Sequence, residues 1–246
     1  VFVGFEHLKY VALIMLIYAG FKALYEDNIF ALLCYLSIIS MGIMILAIAS
    51  GDKTTLLAVF YYLFIHIIYK SLLSTVSATL RDRLKITLCS ELSRFKNKIL
   101  LIAVFIGISL MINTPFSLSF YSKIELTHLF STNFFYIIIL LASVITIVSI
   151  PWTECIKSPK VIKLRLNFYN KLSLVLISVA AIVLGFGWFL ISLTSNFLPI
   201  YEANSYFYEM IKQVGIFSIS AIIILNLKLK RKKGKAFNLL EDINNV

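Results

Sequence analysis

The stretch NTPFSLSFYSKIEL, Asn113–Leu126, lies in the middle of an apolar run from about Ile99 to Phe130. An α-helix rises about 1.5 Å per residue and crosses the hydrocarbon core in roughly 20 residues, so this run is too long for one straight span. It is interrupted at Asn113-Thr114-Pro115. Pro115 has no backbone N–H to give and disfavours helix at Thr114. Two ionisable residues, Lys123 and Glu125, follow the interruption. Broken backbone is tolerated at membrane depth only where it is buried in protein or lines a wet cavity. Breaks beside ionisable residues recur in ion transporters. From this stretch alone two readings stand: a discontinuous functional helix, or a Pro-kinked span or pair of short helices.

The rest of the chain fixes the class. Hydrophobic residues make up 60% and charged residues 14% of 246, against about a quarter charged in soluble domains. Mean hydropathy is +0.93. Continuous apolar runs such as YIIILLASVITIVSI (Tyr136–Ile150) read as membrane helices and lack the alternation of a β-barrel strand. The expected fold is therefore an all-α polytopic transmembrane bundle of about seven spans, one of them discontinuous. Cys34, Cys89 and Cys155 form no CxxC pair and no metal spacing. The sequence contains no Gly-rich phosphate loop, HExxH, GxSxG or Cys/His box, so neither a cofactor nor a metal is expected, nor hydrolytic or redox chemistry of the chain's own. The chain opens Val-Phe-Val without an initiator Met and without a signal-peptide pattern, which suggests a fragment or remnant of a longer chain.

The net charge of +11 invites nucleic acid as a partner, but its distribution points to lipid. Of the 23 Lys and Arg, 17 lie in Arg81–Lys98, Lys157–Lys171 and Lys228–Lys235, each flanking a span, as the positive-inside rule and anionic headgroups require. The expected spans are Lys9–Leu24, Ile29–Ala49, Thr55–Val76, the broken Ile99–Phe130, Asn133–Ile150, Leu172–Leu193 and Phe207–Leu227. Leu80, Leu84, Leu88, Leu92 and Phe95 recur at three- and four-residue spacing, which predicts an amphipathic surface helix over Ser77–Lys98. If Ile99–Phe130 is a single crossing, all three basic clusters fall on one side. If it is two crossings, the first two clusters fall on opposite sides. The rule selects one crossing, with the C-terminus in the cytoplasm.

Ionisable residues inside these spans are the candidate functional groups. His66 and Lys70 lie mid-way along the third span, four residues apart and so on one helical face. A lone ammonium in hydrocarbon costs a few kcal/mol or more, so both are expected to face a polar interior. A His beside a buried Lys can relay protons. The alternative is a structural pair held by a carboxylate, for which Glu125 is a candidate. Lys123 and Glu125, two apart, do not share a face, and each is expected to have its own partner. His128 is expected at the interface, and Tyr35, Tyr62 and Tyr69 are expected to pack.

Three of these stretches resemble one family. AVFYYLFIHIIYKSLL (Ala58–Leu73) resembles the "H…K-A-L-L-F" helix of the antiporter-like subunits shared by respiratory complex I, Mrp-type cation/proton antiporters and related hydrogenases. LMINTPFSLSFYSKIEL (Leu110–Leu126) resembles its broken helix with "P…GF-SK-x-x-L", and CYLSIISMG (Cys34–Gly42) resembles "AYSSISQMG". The order and spacing agree over about Lys9–Ile150. Where the family has Gly in "GF-SK", this chain has Ser119; where it has "DLKR", this chain has Asn28-Ile29-Phe30-Ala31; and Ser74–Ser77 replace a run of small residues. IPWTECIKSP, LPIY (Leu198–Tyr201) and LLEDINNV are similar to the end of D-type subunits of Mrp-like antiporters.

The resemblance implies that residues 1–150 form the second of the family's two inverted five-helix repeats, without the first, and that 151–246 add two transmembrane helices and a basic cytoplasmic tail. It implies a membrane subunit, or C-terminal fragment, of a monovalent cation/proton antiporter in a bacterial plasma membrane. Protons, with Na⁺ or K⁺, would pass at mid-membrane through His66, Lys70, Lys123 and Glu125, beside other membrane subunits. Lys70 would be the central-channel lysine and Lys123 that of the broken helix. Such a subunit is a transporter without chemistry of its own. A proton-pumping subunit of complex I or a membrane hydrogenase (a translocase if part of NADH:quinone oxidoreductase) and an inactive remnant of a split antiporter subunit are the alternatives.

Overall fold

The computed structural model describes residues 7–49, 53–128, 134–151, 162–163, 167–194 and 203–227. Among them are eight α-helices: α1 (His7–Tyr25), α2 (Ile29–Ile48), α3 (Lys53–Leu84), α4 (Lys98–Met111), α5 (Leu118–His128), α6 (Phe134–Ser149), α7 (Phe168–Thr194) and α8 (Ala203–Leu227). Five of them, α1, α2, α3, α7 and α8, are long and apolar enough to cross a membrane, while α4 and α6 are shorter apolar helices. With α4 and α5 taken as one broken crossing and α6 as another, the helices are consistent with the expected count of about seven. The Lys228–Lys235 tail, the loop at 195–202 and most of the second basic connector lie outside the described residues.

Helix α3 is the hub, packing on α2, α4, α5 and α7, while α6 packs on α1, α2 and α8. On α1 the side chains sort by face. Ala12, Ala19 and Ala23 are fully buried, whereas Ile14, Ile17 and Phe21 are 60–69% exposed. Small residues inside and large apolar ones outside fit a helix whose outer face meets acyl chains, because close van der Waals approach rather than apolar burial drives helix association in lipid. Gly107 of α4 shows the same close approach: a Cβ there would lie 2.7 Å from Leu73 Cδ2 and 2.8 Å from its Cγ on α3. Gly107→Ile is expected to cost about 1–3 kcal/mol through overpacking, read as a lowered Tm in detergent; an unchanged Tm would show that the α3–α4 contact is loose.

The surface helix expected over Ser77–Lys98 does not form. α3 continues unbroken to Leu84, a length of 32 residues or about 48 Å, and buries Ser77 and Leu80. The leucine spacing that suggested a separate amphipathic helix is partly the inner face of α3. After Lys85, at φ 56°, the chain forms a 3₁₀ turn, Cys89–Arg94, and then an extended pair, Phe95–Lys96. This pair runs parallel to Ile162–Lys163 of the second basic connector, with Phe95 opposite Ile162 and Lys96 opposite Lys163. The two basic connectors therefore meet at one end of the bundle, as the charge argument for a single broken crossing requires. The α1–α2 turn joins them there. Cys89 N–H donates to Asp27 O (2.7 Å) and Ile29 N–H to Thr87 O (2.9 Å). The Asp27 carboxylate accepts from Ser90 N–H (3.1 Å) and Ser90 Oγ (3.0 Å).

Candidate functional site: a capped helix break and two polar cavities

The break between α4 and α5 is built as a designed stop and a designed start. At the end of α4, Asn113 N–H donates to Leu110 O (3.2 Å) and Thr114 N–H to Ser109 O (3.1 Å), with Asn113 at φ 57°. This is a Schellman C-cap, in which one left-handed residue folds the chain back onto the last carbonyls; Asn is, after Gly, the residue that accepts that backbone. At the start of α5, Ser117 Oγ accepts from Phe120 N–H (3.1 Å) and donates to Thr114 O (2.6 Å), the pattern of a Ser N-cap. Pro115 follows the stop, where a proline costs no helical hydrogen bond. Ser119, which stands where the resembled motif has Gly, is fully buried, and its hydroxyl is 2.8 Å from that of Ser117. The break accommodates its extra atoms as part of the cap.

Helix α8 closes the break from the side: Gln213 Nε2 donates to Ile112 O (3.0 Å), one of the carbonyls left over at the end of α4. Two other buried groups of the break, Asn113 Oδ1 and Thr114 Oγ1, make no hydrogen bond. Asn113 lines a cavity of about 10 Å³ with Ser40, Tyr62, Ser143 and Thr146. A polar pocket of that size is at the lower limit for one water.

His66 and Lys70 do lie on one face of α3, but Lys70 is bonded by α2 and His66 by Tyr69 of its own helix, rather than either by Glu125. The Lys70 ammonium donates to Leu33 O (2.8 Å) and to Ser37 Oγ. His66 is 3% exposed, and its Nδ1 shares a 2.5 Å hydrogen bond with the Tyr69 hydroxyl. That hydroxyl in turn lies 3.1 Å from Ser40 Oγ, which donates to Leu36 O (3.2 Å). With the Ser40 proton given to Leu36 O, Tyr69 donates to Ser40 and His66 Nδ1–H to Tyr69, because each hydroxyl has one proton. The result is a directed chain from the His66 ring to the wall of the cavity at the break. Tyr69 and Tyr62, expected only to pack, are polar members of this site, and both are 3% exposed. The place of the carboxylate considered as a partner of the pair is taken by a carbonyl and a hydroxyl of α2 for Lys70 and by the Tyr69 hydroxyl for His66, since all described bonds of Lys70 Nζ and His66 run elsewhere than to Glu125.

Lys123 lies past the start of α5 and is 5% exposed, and its ammonium makes no hydrogen bond. It faces a second cavity of about 20 Å³ between α5, α6 and α8, which it lines with Tyr136, Glu209, Lys212 and Gln213. Glu209 and Lys212 form an ion pair of 2.5 Å. Glu125, two residues from Lys123, is half-buried and does not line that cavity. The side chain of His128 lies outside the described residues. The polar face of α8 was missed in the sequence. Its signal was the recurrence of Glu209, Gln213, Ile216 and Ser220 at three- and four-residue spacing, all buried, against exposed Phe207, Ile211 and Val214. Among the described residues no group of three or more His, Cys, Asp or Glu is placed to hold a metal ion.

The sequence profile of the NADH:quinone oxidoreductase/Mrp antiporter transmembrane family matches residues 6–148. The chain belongs to this family. It is an integral multi-pass membrane protein, and the broken helix α4–α5, His66, Lys70 and Lys123 all fall inside the matched segment. The Mrp complex from Dietzia sp. contains a chain of similar fold, with a TM-score of 0.66 and 14% identity over 95% of this chain and 29% of that one. Such low identity concerns the fold alone, and this family member spans less than a third of that chain's length. No curated protein matches it by sequence.

Proposed function

We propose that the chain is a membrane subunit, or the C-terminal part of one, of a D-type Mrp-like monovalent cation/proton antiporter, working beside other membrane subunits in a bacterial plasma membrane. Protons enter the polar interior at Lys70 and His66, follow the Tyr69–Ser40 hydroxyls to the break, and reach Lys123 and Glu125 on α5. Residues 1–150 form the antiporter repeat, a division supported by the family match ending at residue 148; residues 151–246 supply the additional helices that close it. The observation that carries this reading is the buried Lys123 ammonium, left without a hydrogen bond just beyond a helix break that is capped on both sides. An unpaired buried ammonium is costly, and a purely structural bundle gains nothing by keeping one.

The test is Lys70→Ala in the complete assembled complex, with proton flux followed in inverted vesicles. Flux driven by a Na⁺ or K⁺ gradient is expected to fall to a small fraction of wild type while assembly persists; unchanged flux would remove Lys70 from the path. The same assay separates the complex I-like alternative, which predicts flux that depends on quinone reduction and co-purification with redox subunits. An inactive remnant predicts that Lys70→Ala changes nothing at all.

A further inference from the structure

The proton path proposed above ends on α5, within residues that the family match covers, whereas the cavity that Lys123 faces is completed by a helix beyond residue 148. We propose that Glu209 of α8 is the group that takes the proton from Lys123, through a single water held between them, and that Lys212 is the counter-charge that resets it. The inference rests on Lys123 being part of the proton path.

Four features of the site support it. First, Lys123 is 95% withdrawn from solvent and has no hydrogen-bond partner, yet it shares the cavity wall with a carboxylate. Second, the cavity of about 20 Å³ has room for one water, for which about 10–15 Å³ suffices. Its polar lining (Lys123, Tyr136, Glu209, Lys212 and Gln213) supplies the two to four partners such a water needs. Third, Glu209 is itself 9% exposed, so its charge is held in a medium where a change of protonation strongly alters its neighbours. Fourth, Lys212 is prepared for the loss of its partner. Its ammonium lies 4.4 Å from the centroid of Tyr208 and 5.7 Å from that of Tyr136, and such ring faces attract a cation.

The step is a proton transfer without redox change. An N–H bond of the Lys123 ammonium breaks as the water takes the proton. The water passes one of its own protons to a Glu209 oxygen, where an O–H bond forms. The products are a neutral amine and a neutral carboxylic acid, so the Glu209–Lys212 pair loses its charge attraction, and Lys212 is left over the two rings. Reionisation of Glu209 restores the pair. Among the described residues, the titratable groups that line this cavity with Glu209 are Lys123 from α5, Tyr136 from α6 and Lys212 from α8.

The test uses the assembled complex in vesicles, with the flux of Lys123→Ala as reference. Glu209→Gln, which keeps shape and hydrogen bonding but carries no proton, is expected to lower proton flux by about tenfold or more, whereas Glu209→Asp retains most of it. The double variant is expected to be no worse than Lys123→Ala alone. Lys212→Gln leaves the carboxylate but removes its counter-charge, and it is expected to lower flux and displace its pH profile; this variant reports on the same pair if Glu209→Gln does not assemble. Wild-type flux in Glu209→Gln, or an unmoved rate and pH profile in Lys212→Gln, overturns the proposal while leaving Lys123 in the path. Wild-type flux in Lys123→Ala overturns both the path and this inference.

Discussion

Lys123→Met is expected to abolish proton flux and, in the same protein, to raise its thermal stability. The two effects have one cause. The Lys123 ammonium is buried without a hydrogen bond, so its desolvation is offset in part by the Glu209 charge across the small cavity they share and by water that enters it. Met has a comparable length and volume and no charge to desolvate. Replacing buried ionic groups by apolar side chains of similar size stabilises by about 1–4 kcal/mol in favourable cases, and a gain in that range is expected here, visible as a higher Tm of the purified complex. Flux, in contrast, loses a group on α5 that faces the α8 carboxylate, and a fall of about 100-fold is expected, the scale on which a positioned proton-transfer group acts. A drop in Tm would mean that Lys123 is held by interactions that stabilise the fold, and retained flux would mean that protons bypass α5. Only the combination of lost flux and gained stability marks a residue kept for transport against its own folding cost.

The second large effect is expected at Asn113. Its φ of 57° places it where L-residues cost about 1–2 kcal/mol, and β-branched side chains fare worst there. Asn113→Ile is therefore expected to destabilise by about 1–3 kcal/mol and to misplace the start of α5, taking Lys123 out of register with its cavity, so that Tm and flux fall together. Asn113→Gly accepts the same backbone and removes a buried oxygen that has no partner, so both measurements are expected to stay near wild type. Pro115→Ala belongs with the mild substitutions, because the stop is made by the hydrogen bonds of Asn113 and Thr114 and the restart by Ser117. Equal damage from Pro115→Ala and Asn113→Ile would show instead that the ring of Pro115 holds the break open.

These two residues show how far the primary structure can be read. The position of the break was legible, because an apolar run longer than the bilayer had to fold back or break somewhere, and Asn113-Thr114-Pro115 is its polar interruption. The device that makes the break was legible only in part. Pro115 announces itself in any sequence, whereas the left-handed turn at Asn113 and the cap at Ser117 depend on which carbonyls are within reach. The single crossing was legible from the charge distribution, since Lys and Arg near span ends obey a rule of sidedness, and the pairing of Phe95–Lys96 with Ile162–Lys163 agrees with it. The extent of α3 was not legible. A leucine repeat reads the same on the inner face of a long helix as on a helix lying on the membrane, and only the contacts of Ser77 and Leu80 distinguish them.

His66, Lys70 and Lys123 stood out because an ionisable side chain in an apolar run is rare and expensive wherever the run packs. Their partners did not, and for the same reason in each case. Ser37 and Ser40 are ordinary residues of a membrane helix until α2 lies against α3. Glu209, Lys212 and Gln213 are close to the start of a span, where charged residues commonly reach the interface, until α8 turns that face toward α5 and α6. By itself the sequence determined the class of fold, the approximate number of crossings, the place of the break and the charges to be buried, because all of these follow from the cost of putting charge and free backbone into hydrocarbon. Only the tertiary structure decided what each buried charge faces. A helix carries the same residues whichever way it is rotated, and its orientation is set by the packing of neighbours distant in the chain.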